Sequence, residues 1–92
     1  MSKVYVVSGT TGQWEDRHTW DVFAFLDKGK AETFLGRMQA YCISKGLDSN
    51  EGALVVAYSG DNPLADSPDP FLAESFDQGA VSYRLREIPF CA

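Results

Sequence analysis

The chain has 92 residues, a formal net charge of −5 and two cysteines. That length makes one domain with a thin core, because a chain of this size buries only roughly 60–65% of the surface its unfolded form exposes. No window approaches the ~20 apolar residues of a membrane span, no signal-peptide pattern precedes the first strand, and two cysteines are too few for the disulfide framework of a small secreted domain. A cytoplasmic protein with reduced thiols, and no membrane partner, is the expectation.

In chain order, "VYVV" at Val4–Val7 is β-branched and aromatic, which predicts a first strand over 3–8, central in its sheet or covered on both faces. A second strand is expected over 20–26, with Val22, Ala24 and Leu26 on one face and Phe23 and Phe25 on the other. From 28 to 46 the period changes: Ala31, Phe34, Leu35, Met38, Tyr41 and Cys42 form one helical stripe, Asp27 stands at the N-cap and Gly46 at the stop. "NEGALVVAY" (50–58) reads as a short helix capped by Asp48 or Ser49, although Val55 and Val56 suit a strand equally well. "SGDNPLADSPDPF" (59–71), rich in Pro, Asp and Ser, reads as an open surface loop, and "LAESFDQG" as one helical turn ending at Gly79. Residues 80–88 alternate, Val81, Tyr83 and Leu85 against Ser82, Arg84 and Arg86, which predicts a third strand. The fold expected is α+β: a three-stranded antiparallel sheet with one long amphipathic helix packed on one face, in a single domain spanning 1–92.

The charge is unevenly placed. Residues 46–83 hold Asp48, Glu51, Asp61, Asp66, Asp69, Glu74 and Asp77 and no Lys or Arg, whereas the flanking segments each carry a net of +1. Such a field repels nucleic acid and attracts basic protein surfaces, so direct nucleic-acid binding is not expected. An acidic surface usually serves solubility. Here the run is long, is interspersed with Tyr58, Phe71 and Phe76, and adjoins a nearly neutral scaffold, which favours a docking role.

Between the first two strands lies "SGTTGQWEDRHTW", far longer than the two to five residues a hairpin needs. The glycines invite a phosphate-loop reading, but the pattern lacks the GxxxxGK[ST] spacing and runs into a strand. A structured loop fits better. Gly9 and Gly12 would supply tight bends or positive φ, Asp16 and Arg17 would pair, Trp14 and Trp20 would form an apolar floor, and an exposed Trp beside Arg has the composition of a binding hot spot. His18, Cys42 and Cys91 show no metal-ligand spacing. Cys42 lies on the core stripe, and Asp66 and Asp69 lie in the open loop where solvent leaves carboxylates ordinary, so no catalytic residue, metal or cofactor is expected.

The run SGTTGQWEDRHTW at 8–20, followed by Asn62-Pro63, Asp69-Pro70, Asp77-Gln78-Gly79, Tyr83 and the closing "IPF", resembles a family of small proteins of tailed bacteriophages and prophages. The likeness covers roughly residues 3–34 and 69–90. It implies an origin rather than an activity: a cytoplasmic protein made in an infected bacterial host. The reading that follows is a phage-type accessory protein acting by non-enzymatic protein–protein binding, with an acidic inhibitor of a host defence complex as its most concrete form. Its partner would be a host protein with a basic surface. The residues expected to make contact are Trp14, Arg17, Asp61, Asp66, Asp69, Glu74 and Asp77. Two alternatives stand beside it: a small-molecule or metal site at the 9–20 loop, and homo-oligomer formation through an open sheet edge.

Overall fold

A computed structural model describes residues 2–12, 17–60 and 63–91. Three strands, β1 (Ser2–Thr11), β2 (His18–Phe25) and β3 (Ser82–Phe90), form an antiparallel sheet in the order β2-β1-β3. The first strand is central, one of the two placements its continuous apolar run allows. The long helix α1 (Lys28–Lys45) is joined by α2 (Asn50–Ala57) and the single turn α3 (Leu72–Ser75). The chain is thus the expected α+β fold, and residues 50–57 are helix rather than strand.

Local chemistry places each helix end. Asp27 accepts hydrogen bonds from the backbone N–H groups of Gly29 and Lys30 at 2.8 and 3.3 Å, satisfying donors that the first turn leaves without partners. At the other end Gly46 adopts φ 76°, where a Cβ would be strained, and the Leu47 N–H returns to the Cys42 carbonyl at 2.8 Å. Ser49 caps α2 by accepting from the Gly52 N–H at 3.1 Å.

The hairpin departs from its expected length. The β1–β2 ladder continues past residue 8 through Gly9↔Trp20, Thr10↔Thr19 and Thr11↔His18. Only residues 12–17 connect the strands. Threonine, small and β-branched, continues a strand as readily as valine, so the polar residues here extend the ladder and do not open a turn. A second departure lies in β2. The register shifts between Val7↔Phe23 and Ser8↔Asp21, leaving Val22 as an extra residue. The bulge inverts the alternation: Val22 is buried while Ala24 is exposed, so the two do not share a face. It also lets Trp20 and Phe23, three residues apart, both face the helical layer.

The core lies between the sheet and that layer. Phe34 of α1 packs against Phe23 and Phe25, with ring centroids 5.3 and 5.9 Å away. Met38, Leu47, Leu72 and Val7 are fully buried, each contributing about 1.5–3 kcal/mol of burial free energy. Leu47 and Leu72 bring the segment after α1 into the same core.

Candidate functional site

The acidic segment is held to the sheet by one buried carboxylate. Asp69 is only 1% exposed. Its Oδ2 accepts from Trp20 Nε1 at 2.9 Å and from the Tyr83 hydroxyl at 2.7 Å, and its Oδ1 accepts from the Phe71 N–H at 2.8 Å. Three donors replace the water a carboxylate loses on burial. Trp20 meets Tyr83 edge to face at 6.1 Å, and its six-membered ring lies directly over Gly9. Burial, followed by the Asp69 hydrogen bond and charge, pushes the Tyr83 hydroxyl far above the ordinary tyrosine range, so it stays a donor.

Further contacts complete the attachment. The Thr11 hydroxyl donates to the Gly79 carbonyl at 3.1 Å, and the Asp77 N–H donates to that hydroxyl at 3.4 Å. The Ala80 N–H reaches Asn50 Oδ1 at 2.9 Å and the Val81 N–H reaches the Leu47 carbonyl at 2.7 Å. Gly79 lies so close to Gly12 that a Cβ on it would come within 2.6 Å of the Gly12 carbonyl carbon. Gly9, Gly12, Trp20, Asp69, Gly79 and Tyr83, scattered through the two ends of the sequence motif, therefore meet at one place and form a structural latch.

This arrangement corrects two expectations. Asp69 is not in an open loop and cannot be a contact residue, because its oxygens are committed to buried donors. Gly9 is required by the overlying indole, and no positive φ is needed there; Gly12, at φ 93°, does take the left-handed conformation. Trp20 packs against the core and donates its Nε1–H to the latch. Trp14, Asp16 and Asp61 lie outside the described residues.

The remaining acidic groups face outward. Asp66 accepts from the Tyr41 hydroxyl at 2.8 Å and pairs with Lys45 at 3.4 Å. The Tyr41 bond, more than Lys45, holds its carboxyl below the usual range, so these contacts persist at neutral pH and fail only as acid protonates it. Asp48, Glu51, Glu74, Asp77 and Arg17 are exposed. Sequence reasoning missed an exposed apolar stripe in the acidic segment. Leu54, Val55 and Tyr58 are 39, 72 and 76% exposed on α2, and with Glu51 they fall at i, i+3, i+4 and i+7, a single stripe. That spacing was legible; what was not is that Ala53, on another side, supplies the buried contact.

Cys42 is buried, Cys91 exposed, and neither is in a disulfide. Burial first, then Asp48 and Asp69, pushes the Cys42 thiol up to about 12, which leaves almost no thiolate at neutral pH. A disulfide-exchange reagent at pH 8 is expected to titrate one thiol in the folded protein and two in urea. Equal, rapid reaction of both in the folded state would contradict the buried placement of Cys42.

Among the described residues no group of three His, Cys, Asp or Glu side chains is placed to hold a metal ion, and no helix is long and apolar enough to cross a membrane. No family model, curated protein or solved structure gives a significant match to the chain.

Proposed function

We propose that the protein is a binding module that acts without catalysis, docking through the outer surface of residues 46–79 onto a basic surface of another protein. The observation that carries this reading is the exposed Leu54–Val55–Tyr58 stripe, set in a segment that has no Lys or Arg. Large apolar groups left in water cost free energy unless a partner covers them, and the exposed Asp48, Glu51, Glu74 and Asp77 of the same segment favour a cationic partner and speed its approach. The latch supports the reading by presenting the segment as a fixed surface, which lowers the ordering cost of association. In the form that the phage resemblance suggests, the partner is a host protein and docking occludes it.

The test is capture from bacterial lysate on the immobilised protein at low and moderate salt, repeated with Val55→Ser/Tyr58→Ser and with Glu51→Lys/Glu74→Lys. All four side chains are exposed, so the variants are expected to fold. The expected result is one stoichiometric partner, released as salt rises. Loss of a central apolar anchor costs ~2 kcal/mol or more, so the serine variant should bind at least about tenfold more weakly. A partner captured equally by the parent and both variants would place the contact elsewhere and overturn the proposal.

A further inference from the structure

A second surface has the opposite chemistry and stands independently of the acidic docking face. At the far end of α1 from Tyr41 and Lys45, a cleft of about 500 Å³ is lined by Phe25, Gly29, Lys30, Thr33, Phe34 and Arg37, with Asp27 at its rim. Its floor is aromatic: Phe25 and Phe34 line it with ring centroids 5.9 Å apart, and the 42%-exposed Phe23 packs against both rings beside it. Lys30, Thr33, Phe34 and Arg37 fall at i, i+3, i+4 and i+7 of α1, so the two cations flank the floor along one stripe. No ion pair engages Lys30 or Arg37 among the described residues. The one carboxylate nearby, Asp27, spends its Oδ1 on the Gly29 and Lys30 N–H groups. β2 forms the sheet's outer edge here, paired to β1 on one side only, and leaves backbone donors and acceptors facing outward.

We propose that this cleft binds an extended acidic peptide segment carrying an aromatic side chain between two carboxylates. The edge of β2 selects an extended backbone, as in strand addition. The phenylalanine floor takes the aromatic ring edge to face. The spacing follows from geometry: Lys30 and Arg37 are seven residues apart, about 10 Å along the helix axis. Carboxylates at i and i+4 of an extended chain are about 13 Å apart on one face, with residue i+2 between them on that same face; flexible Lys and Arg side chains span the difference. Acidic–x–aromatic–x–acidic is therefore the pattern that matches the cleft. Single-stranded nucleic acid also combines rings with negative charge, but the chain's net charge of −5 opposes a long polyanion far more than a short peptide.

The probe is the peptide acetyl-Glu-Ser-Phe-Ser-Glu-amide, titrated into the isotope-labelled full chain at low salt and followed by amide chemical shifts. Saturable shifts confined to residues 23–37 are expected. Replacing the peptide's Phe by Ala, or both Glu by Gln, should weaken binding by about tenfold or more, each corresponding to ~1.4 kcal/mol. Lys30→Glu/Arg37→Glu, whose side chains are exposed, should abolish the shifts while leaving the melting curve and the acidic-face capture intact. The proposal is overturned by absence of shifts at millimolar peptide or by unchanged affinity in the double variant. It is equally overturned by an oligothymidine that perturbs these residues at lower concentration than the peptide, or by shifts that track protein concentration alone, which would mark a self-contact.

Discussion

Asp69→Ala is expected to remove about 3–5 kcal/mol of stability, the largest loss available from any single side chain of the latch. The substitution strands the Trp20 indole N–H, the Tyr83 hydroxyl and the Phe71 N–H in a site that is 1% exposed, and each buried donor left without an acceptor costs about 1–3 kcal/mol. Water entering the space left by the carboxylate offsets part of that sum. Against a total stability of ~5–15 kcal/mol for a small domain, the remainder is marginal. Urea unfolding followed by circular dichroism gives the difference directly, and a drop in melting temperature of about 12–40 °C should accompany it. Asp69→Asn should fall between, because its amide oxygen still accepts while its NH2 meets the donors. A loss below ~1 kcal/mol for the alanine variant would show that the carboxylate does not hold the segment.

Gly9→Ala should act on the same latch from the opposite side. A Cβ there would lie 2.5 Å from Trp20 Cζ2 and 2.7 Å from Cε2. The indole cannot step aside without giving up its bond to Asp69 and its edge contact with Tyr83. Overpacking together with the lost bond is expected to cost about 2–4 kcal/mol. Gly36→Ala on α1, where an added Cβ meets nothing within 4 Å, is the control: it should stabilise by ~0.5–1 kcal/mol through helix propensity. The double variant Gly9→Ala/Asp69→Ala gives the stricter result. Since both changes break the Trp20–Asp69 bond, their combined cost should fall short of the sum by about 1 kcal/mol or more. Additivity would mean that glycine and carboxylate act separately, and the latch would have to be abandoned.

The latch also explains why an acidic segment can be a defined surface at all. Seven carboxylates without a counter-charge repel one another, and a loop carrying them would spread in water. One of the seven is withdrawn into the core at Asp69, and another, Asp66, is tied to Tyr41 and Lys45. Asp48, Glu51, Glu74 and Asp77, exposed, sit on a backbone pinned by Leu47, Leu72 and the Thr11–Gly79 contact. A rigid display loses little conformational entropy on binding.

What the sequence determined by itself is whatever depends on neighbours in the chain. The α1 stripe, its Asp27 cap and Gly46 stop, and the alternation of β3 all rest on interactions spanning at most a few residues. The continuous apolar run of β1 suited a strand either central or covered on both faces, and the order β2-β1-β3 made it the central one. Tertiary structure alone decided the bulge at Val22, the ladder continuing through Gly9–Thr11, the indole lying on Gly9, and the burial of Asp69. Each of these depends on a partner far away in sequence: Asp69 is 49 residues from Trp20 and 14 from Tyr83. A carboxylate in a Pro- and Asp-rich stretch is ordinarily solvated, and only the distant Trp20 and Tyr83 donors brought by the sheet, added to the local Phe71 N–H, make its burial the lower-energy state.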